Sequence, residues 1–334
     1  MKRTTIVDVA KHANVSKSTV SQYLNRRYEY MSEETKKRIE LSIKELGYRP
    51  NIIARSLKQK STMTIGVIVA NILHVFSTQV IRAIEDVCNE KNFQVIICNA
   101  DDNPAKEKKY IDMLRAKQVD GIIAFPTGGN IDLYEQLISE KYPLIFMDRL
   151  VESISVEAVI LDNAKASHLA IDEFVHKGYR KIAMVSPPVD KNVTPRVERI
   201  NGYKKAIQKY NLPFEPNYLA SGHISEMQPL LKQMFDLNDP PNALLALNDR
   251  VLFEVLKFTK KQNIQIPNEL AVIGIDDVSF SGFYHPALTT IAQPSFEMGK
   301  KAAQLLLDKI TNKNKELDSK VYRYDPELII RSSC

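Results

Sequence analysis

Lys17, Ser18, Ser21, Gln22 and Asn25 recur at i, i+1, i+4, i+5 and i+8 within VSKSTVSQYLNRR, residues 15–27. On a helix that spacing makes one polar face. The face carries short hydrogen-bonding groups and a single cation, with no nucleophile beside a base. It suits reading base-pair edges in a major groove better than breaking a bond. A second polar set collects where apolar runs end, in AFP, IFMDR, LND and IGIDD, which place Asp148, Asn248 and Asp276 at strand ends. Carboxylate, amide and guanidinium groups together can hold several hydroxyls of one ligand.

The elements that must position the first set are short helices. Ile6, Val9, Ala10 and Ala13 share one helix face, which Thr4 or Thr5 can cap. Asn14 interrupts, and Asn enters a left-handed turn cheaply. Ser16 then caps a second helix in which Val20, Tyr23 and Leu24 face inward. A third helix starts at Ser32-Glu33-Glu34-Thr35, buries Ile39, Ile43 and Leu46, and stops at Gly47. Two short helices across a tight turn, braced by a third, predict a helix-turn-helix unit.

Charge agrees with that reading. Residues 1–61 hold 14 Lys and Arg against 6 Asp and Glu, a net of +8, while the remainder holds 32 against 34, a net of −2. A basic head on a nearly neutral body predicts a polyanion partner for the head.

TTIVDVAKHANVSKSTVSQYLN, followed by MSEETKKRIELSIKELGYRPNIIARSLKQKSTMTIGVIV, resembles the start of a LacI/GalR-family transcriptional regulator, and the likeness runs through the whole chain. The resemblance implies DNA contacts from Thr5, Lys17, Ser18, Thr19, Ser21, Gln22 and Asn25, with Lys17, Ser18 and Gln22 reading bases. Gln22 stands where the family most often has Arg. Arg reads guanine while Gln prefers adenine, so the operator is expected to depart from the commonest family half-site there. Asn14 replaces the family's usual Gly. The segment SQYLNRRYEYM is similar to that of family members controlling ketodeoxygluconate and other sugar-acid catabolism.

Tyr48–Thr64 joins head to body. Pro50 can open a helix, and Ile53 and Leu57 are four apart, an oddly apolar pattern for a linker. The family implies a hinge helix that orders on operator DNA and uses Asn51, Arg55 and Leu57, with Leu57 wedged into the minor groove.

From Thr64 onward, eight short apolar runs alternate with amphipathic stretches such as 78–91, 105–117, 164–177 and 251–263. That alternation predicts parallel sheets covered on both faces. The expected architecture is a small all-α head plus an α/β core of two doubly wound parallel-sheet subdomains, which the resemblance identifies as the periplasmic-binding-protein-like type I core. Expected boundaries are 1–47 for the head, 48–63 for the hinge and 64–334 for the core, divided into 64–162 plus 293–322 and 163–292 plus 323–334. Ligands of such folds sit at the carboxyl ends of strands, here between the halves.

By resemblance, the effector pocket uses Phe76, Asp148, Arg196, Arg199, Asn248 and Asp276, the arginines lying in TPRVERINGY. On spacing alone, Asp148 and Asp276 read more readily as helix caps than as ligands, and Asp277 as a cap of the following loop. Arg149, Lys191, Arg196 and Arg250 lie nearby; two or more pointing inward would favour an anionic ligand. Ile224 follows Ser221–Gly222 where some relatives place an aromatic, which argues against a stacked purine.

No GxGxxG follows the first strand, and GxxxxGK[ST], GxSxG and HExxH are absent, so an enzyme is not expected. Neither a cofactor nor a metal is implied. Cys88, Cys98 and Cys334 form no CxxC and read as reduced thiols. No apolar run is long enough to span a bilayer and no secretory pattern opens the chain, so a cytoplasmic location is expected. The expected partners are operator DNA, a second copy of the chain in a two-fold dimer lacking a tetramerising tail, and a sugar, sugar-acid or sugar-phosphate effector. The expected function is repression of a carbohydrate-catabolic operon, released by that effector. The alternatives are a co-repressor-dependent regulator and a solute-binding protein.

Overall fold

The computed structural model describes residues 4–49, 61–189, 192–312 and 319–334. The chain divides into two compact units, Met1–Thr62 and Met63–Cys334.

The first unit holds α1 (Ile6–His12), α2 (Lys17–Leu24) and α3 (Glu33–Glu45). Each begins on a side-chain cap. Thr5 closes a reciprocal capping box with Asp8, Ser16 Oγ accepts from Thr19 N at 3.1 Å, and Ser32 Oγ accepts from Thr35 N at 3.2 Å. Asn14 turns the chain between α1 and α2 at φ 51°, and Gly47 follows α3 at φ 54°. Val9, Ala10, Ala13, Val20 and Ile39 form the buried centre. Ile43 and Leu46, expected inside, are only half-buried, because three short helices leave part of each apolar stripe at the rim.

The second unit has two halves. The first contains β1 (Thr64–Val69), α4 (Val75–Glu90), β2 (Gln94–Asn99), α5 (Pro104–Ala116), β3 (Gly121–Ala124), α6 (Ile131–Ser139), β4 (Leu144–Met147) and β5 (Ala158–Leu161). The second contains α7 (Asn163–His176), β6 (Ile182–Ser186), α8 (Thr194–Lys209), β7 (Leu219–Ser221), α9 (Met227–Phe235), β8 (Ala243–Ala246), α10 (Asp249–Gln262), β9 (Ala271–Ile275) and β10 (Thr289–Ala292). The chain then crosses back with α11 (Ser295–Thr311) and β11 (Val321–Tyr324), and returns with β12 (Glu327–Ile329). The sheet orders are β11-β5-β4-β3-β1-β2 and β12-β10-β9-β8-β6-β7.

The eight apolar runs read from the sequence are all strands, and their helices cover both sheets. The pairings are parallel except that of β12, which runs antiparallel to β10 with Thr290 opposite Ile329. The two doubly wound parallel sheets are as expected, with β12 added antiparallel at one edge of the second. β12 follows β11 after a two-residue connection but joins the other sheet, at the edge beside β10. β7, β10, β11 and β12 had no counterpart among the runs. β7 has three residues, and β11 is a half-exposed edge strand.

Close helix contacts lock each half. A Cβ on Gly299 of α11 would lie 2.7 Å from Val80 O of α4, and one on Gly202 of α8 would lie 2.7 Å from Ala164 O of α7. Only glycine permits those approaches. Among the described residues, no helix is long and apolar enough to cross a membrane.

Candidate functional site

In the head, Lys17, Ser18, Gln22 and Asn25 are exposed along α2, and Thr19 and Ser21 are half-buried. Several of these side chains also hold the helix ends. Thr19 Oγ1 is 2.8 Å from Ser16 Oγ, Ser18 Oγ is 2.6 Å from it, and Asn25 Nδ2 donates to Ser21 O at 2.8 Å. Thr5 is exposed, and its Oγ1 donates to Asp8 Oδ2 at 2.7 Å. Lys11, Arg26 and Arg27 are exposed on the same unit and can meet phosphates. The remaining expected DNA contacts, Asn51, Arg55 and Leu57, lie outside the described residues.

In the body, all six expected pocket residues line one chamber of about 50 Å³ between the halves. Phe76 lies in the first turn of α4, which starts earlier than the sequence reading placed it, and meets Phe125 edge-on at 6.3 Å. Asp148 leaves β4 at φ 66°. Burial raises its carboxyl pKa, only partly offset by the charges of Arg149 and Arg199. Arg196 and Arg199 stand on α8 one turn apart. Arg199 Nε donates to Asn163 Oδ1 at 2.9 Å and its Nη1 to Leu247 O at 2.8 Å.

Asn248 and Asp276, too, are held by partners within the protein. Asn248 caps α10, its Oδ1 accepting from Val251 N at 2.9 Å. Asp276, at φ 86°, accepts from Asp249 N at 3.3 Å and from Gln293 Nε2 at 2.6 Å. Burial and the negative charge of Asp249 raise the Asp276 pKa. Asp277 accepts from Arg331 Nη1 at 2.9 Å and from Thr290 Oγ1 at 2.7 Å, tying the segment after β12 to β10.

A second, contiguous chamber of about 370 Å³ shares Asn71, His74, Val193, Arg196 and Asn248 with the first and adds Asp101, Asp102, Thr127, His223 and Ser225 among its lining. The halves are tied directly across the cleft. His74 Nδ1 lies 2.5 Å from Asp249 Oδ1, Val75 N donates to Asp249 Oδ2 at 2.8 Å, and Arg196 Nη2 donates to Asp102 Oδ2 at 2.9 Å. Burial would raise the Asp249 pKa, but His74 and the N–H groups of Val75 and Arg250 outweigh it and hold it low.

Arg149 and Arg196 both line the cleft, yet both donate to Asp102, Arg149 Nη1 at 2.6 Å. Burial opposes ionisation of Asp102, but the two guanidinia prevail and hold its pKa below the usual carboxylate value. Lys191 lies outside the described residues. Arg149 Nε and Gln293 Oε1 are buried without a hydrogen-bond partner, and both residues line the inner chamber. A ligand donor and acceptor would satisfy them.

Sequence reasoning missed Asp102, Gln293, His74 and Asp249. The first two stand just past β2 and β10, where the strand-end rule already pointed, but neither run ends in a pattern that singles them out. His74 and Asp249 carry no signal apart from their mutual contact. Among the described residues, no group of three or more His, Cys, Asp or Glu could hold a metal ion.

Comparison with known proteins joins these two sites into one kind of molecule. Residues 5–51 match the model described as bacterial regulatory proteins, lacI family, and residues 171–334 match a periplasmic binding protein-like domain. The chain is 47% identical over 333 residues to the probable HTH-type transcriptional regulator EndR of Paenibacillus polymyxa, covering 99% of this chain and 98% of the relative. It is 32% identical over 310 residues to the HTH-type transcriptional regulator KdgR of Bacillus subtilis, covering 92% and 91%. The fold is that of the Lac repressor dimer bound to operator, at a TM-score of 0.85 and 21% identity, covering 99% of each chain. The chain belongs to the lacI family of bacterial regulatory proteins and is a DNA-binding transcriptional regulator rather than an enzyme.

Proposed function

We propose that the protein is a cytoplasmic, dimeric repressor of a carbohydrate-catabolic operon, released from its operator by a polyhydroxylated effector held in the cleft. The observation that carries this is the gathering of Phe76, Asp148, Arg196, Arg199, Asn248 and Asp276 around one chamber that both halves line. Phe76 supplies an apolar wall, Asp148 an acceptor, and Arg199 and Asn248 donors, the mixture that hydroxyl-rich ligands need. A ligand touching both halves has different contacts when they move, so it shifts their arrangement. Typical couplings of about 1–3 kcal/mol change DNA affinity by roughly 5- to 150-fold. In the head, Lys17, Ser18 and Gln22 read bases, with Thr5, Thr19, Ser21 and Asn25 supporting or touching the backbone. The resemblance assigns Asn51, Arg55 and Leu57 to a hinge helix between two copies of the chain. Two-fold pairing fits a near-palindromic operator.

The test is a gel shift with DNA upstream of the protein's own gene, with and without sugars and sugar acids. Retention that one such compound weakens supports the proposal. Strengthened retention would make that compound a co-repressor instead. Retention equally strong in a chain lacking residues 1–62 would refute the role of the head.

A further inference from the structure

The cleft is longer than one sugar ring and balanced in charge. At an organic-solid packing density of ~0.74, a single hexose ring fills roughly 200 Å³. The outer chamber measures about 370 Å³, within the ~300–1,000 Å³ range of pockets that enclose larger ligands. The inner chamber, at about 50 Å³, is too small for a ring of its own. A ring that reaches Asp148 and Arg199 therefore leaves most of the outer space unfilled.

Topology sets the direction of that space. β2 and β7 are the edge strands of their sheets. Asp101 and Asp102 follow β2, while His223 and Ser225 follow β7, and all four line the outer chamber. Among the described residues no further strand lies beyond this edge in either sheet, so a chain of rings can continue outward there. Pro187, Pro188 and Ile224 supply apolar surface along the way.

The charges decide the class. Asp101, Asp102, Asp148 and Asp276 line the two chambers together with Arg149, Arg196, Arg199 and Arg250, four carboxylates against four guanidinia. The arginines are largely engaged within the protein. Arg149 and Arg196 hold Asp102, and Arg199 holds Asn163 and Leu247 O. Asp101 accepts from Lys106 Nζ at 2.5 Å. An anionic ligand would add negative charge to a balanced, partly desolvated cleft, whereas a neutral one would not. Building on the proposed effector cleft, we infer that its occupant is a neutral oligosaccharide of two or more rings. One ring faces Asp148, Arg199, Arg149 and Gln293, whose Oε1 has no hydrogen-bond partner, and the next lies in the outer chamber against Thr127, His223 and Ser225.

Calorimetry on the full chain tests this with glucose, xylose, mannose and galactose, their β-1,4-linked dimers and trimers, and glucuronate and digalacturonate. The tightest ligand should be a neutral dimer or trimer, bound at least about tenfold more tightly than its monomer, or ~1.4 kcal/mol. Ser225→Trp, a change at an exposed position, should bring that ratio close to one while circular dichroism verifies the fold. Equal affinity for monomer and dimer, or a uronate tighter than every neutral sugar, overturns the inference and leaves the effector cleft standing. If no saccharide binds or alters operator retention, the cleft's proposed function fails as well.

Discussion

Asp102→Asn removes the charge that neutralises two arginines. Asp102 is 29% exposed, while Arg149 and Arg196 are 7% and 14% exposed. Breaking a fully buried pair from one side costs about 3–5 kcal/mol. Asn keeps one acceptor and the site retains some water, so the expected loss is about 2–3 kcal/mol. For a domain of this size that is a melting-temperature drop of roughly 4–5 °C. The assay is thermal unfolding followed by circular dichroism, at neutral pH and again in acid. Asp102 has a depressed pKa, so its contribution is present above the unfolded carboxylate value of ~3.9 and is lost as pH falls through the folded one. The gap between parent and variant should close in that acid range. The variant also leaves two guanidinia without a counter-charge. Sulfate or glucuronate should then raise its melting temperature, an anion at ~10 times its Kd adding about 1.4 kcal/mol. A variant melting within about 1 °C of the parent, with no response to anions, would refute charge balance in the cleft.

Three further outcomes follow from particular contacts. Replacing Gln22 by Arg should move the preferred base from adenine to guanine in a binding-site selection; an unchanged selection would mean that Gln22 does not face that base. Sugar hydroxyls donating to Asp148 require its carboxylate ionised, and its pKa is raised. Effector affinity should therefore fall as pH drops through that raised value, and Asp148→Asn should flatten the profile, as titration calorimetry across pH would reveal. Gly202→Ala sets a Cβ 2.7 Å from Ala164 O and should destabilise the body by about 1–3 kcal/mol in urea unfolding, unless α7 and α8 can separate without cost.

The head is decided almost wholly by neighbours in sequence. Thr5, Ser16 and Ser32 cap helices three residues onward, Asn14 turns the chain alone, and the apolar stripes need only each other. Such short-range preferences act before any tertiary contact forms, so they are legible in the residues themselves. The strand ends were legible for the same reason: a continuous apolar run stops where Asp148, Asn248 and Asp276 begin. The cleft's electrostatics were not. Asp102 meets Arg149 across 47 residues and Arg196 across 94, and His74 meets Asp249 across 175. No local propensity encodes such pairs. They exist because two sheets bring their carboxyl ends face to face, and packing alone determines which charges are neutralised and which polar atoms remain for a ligand.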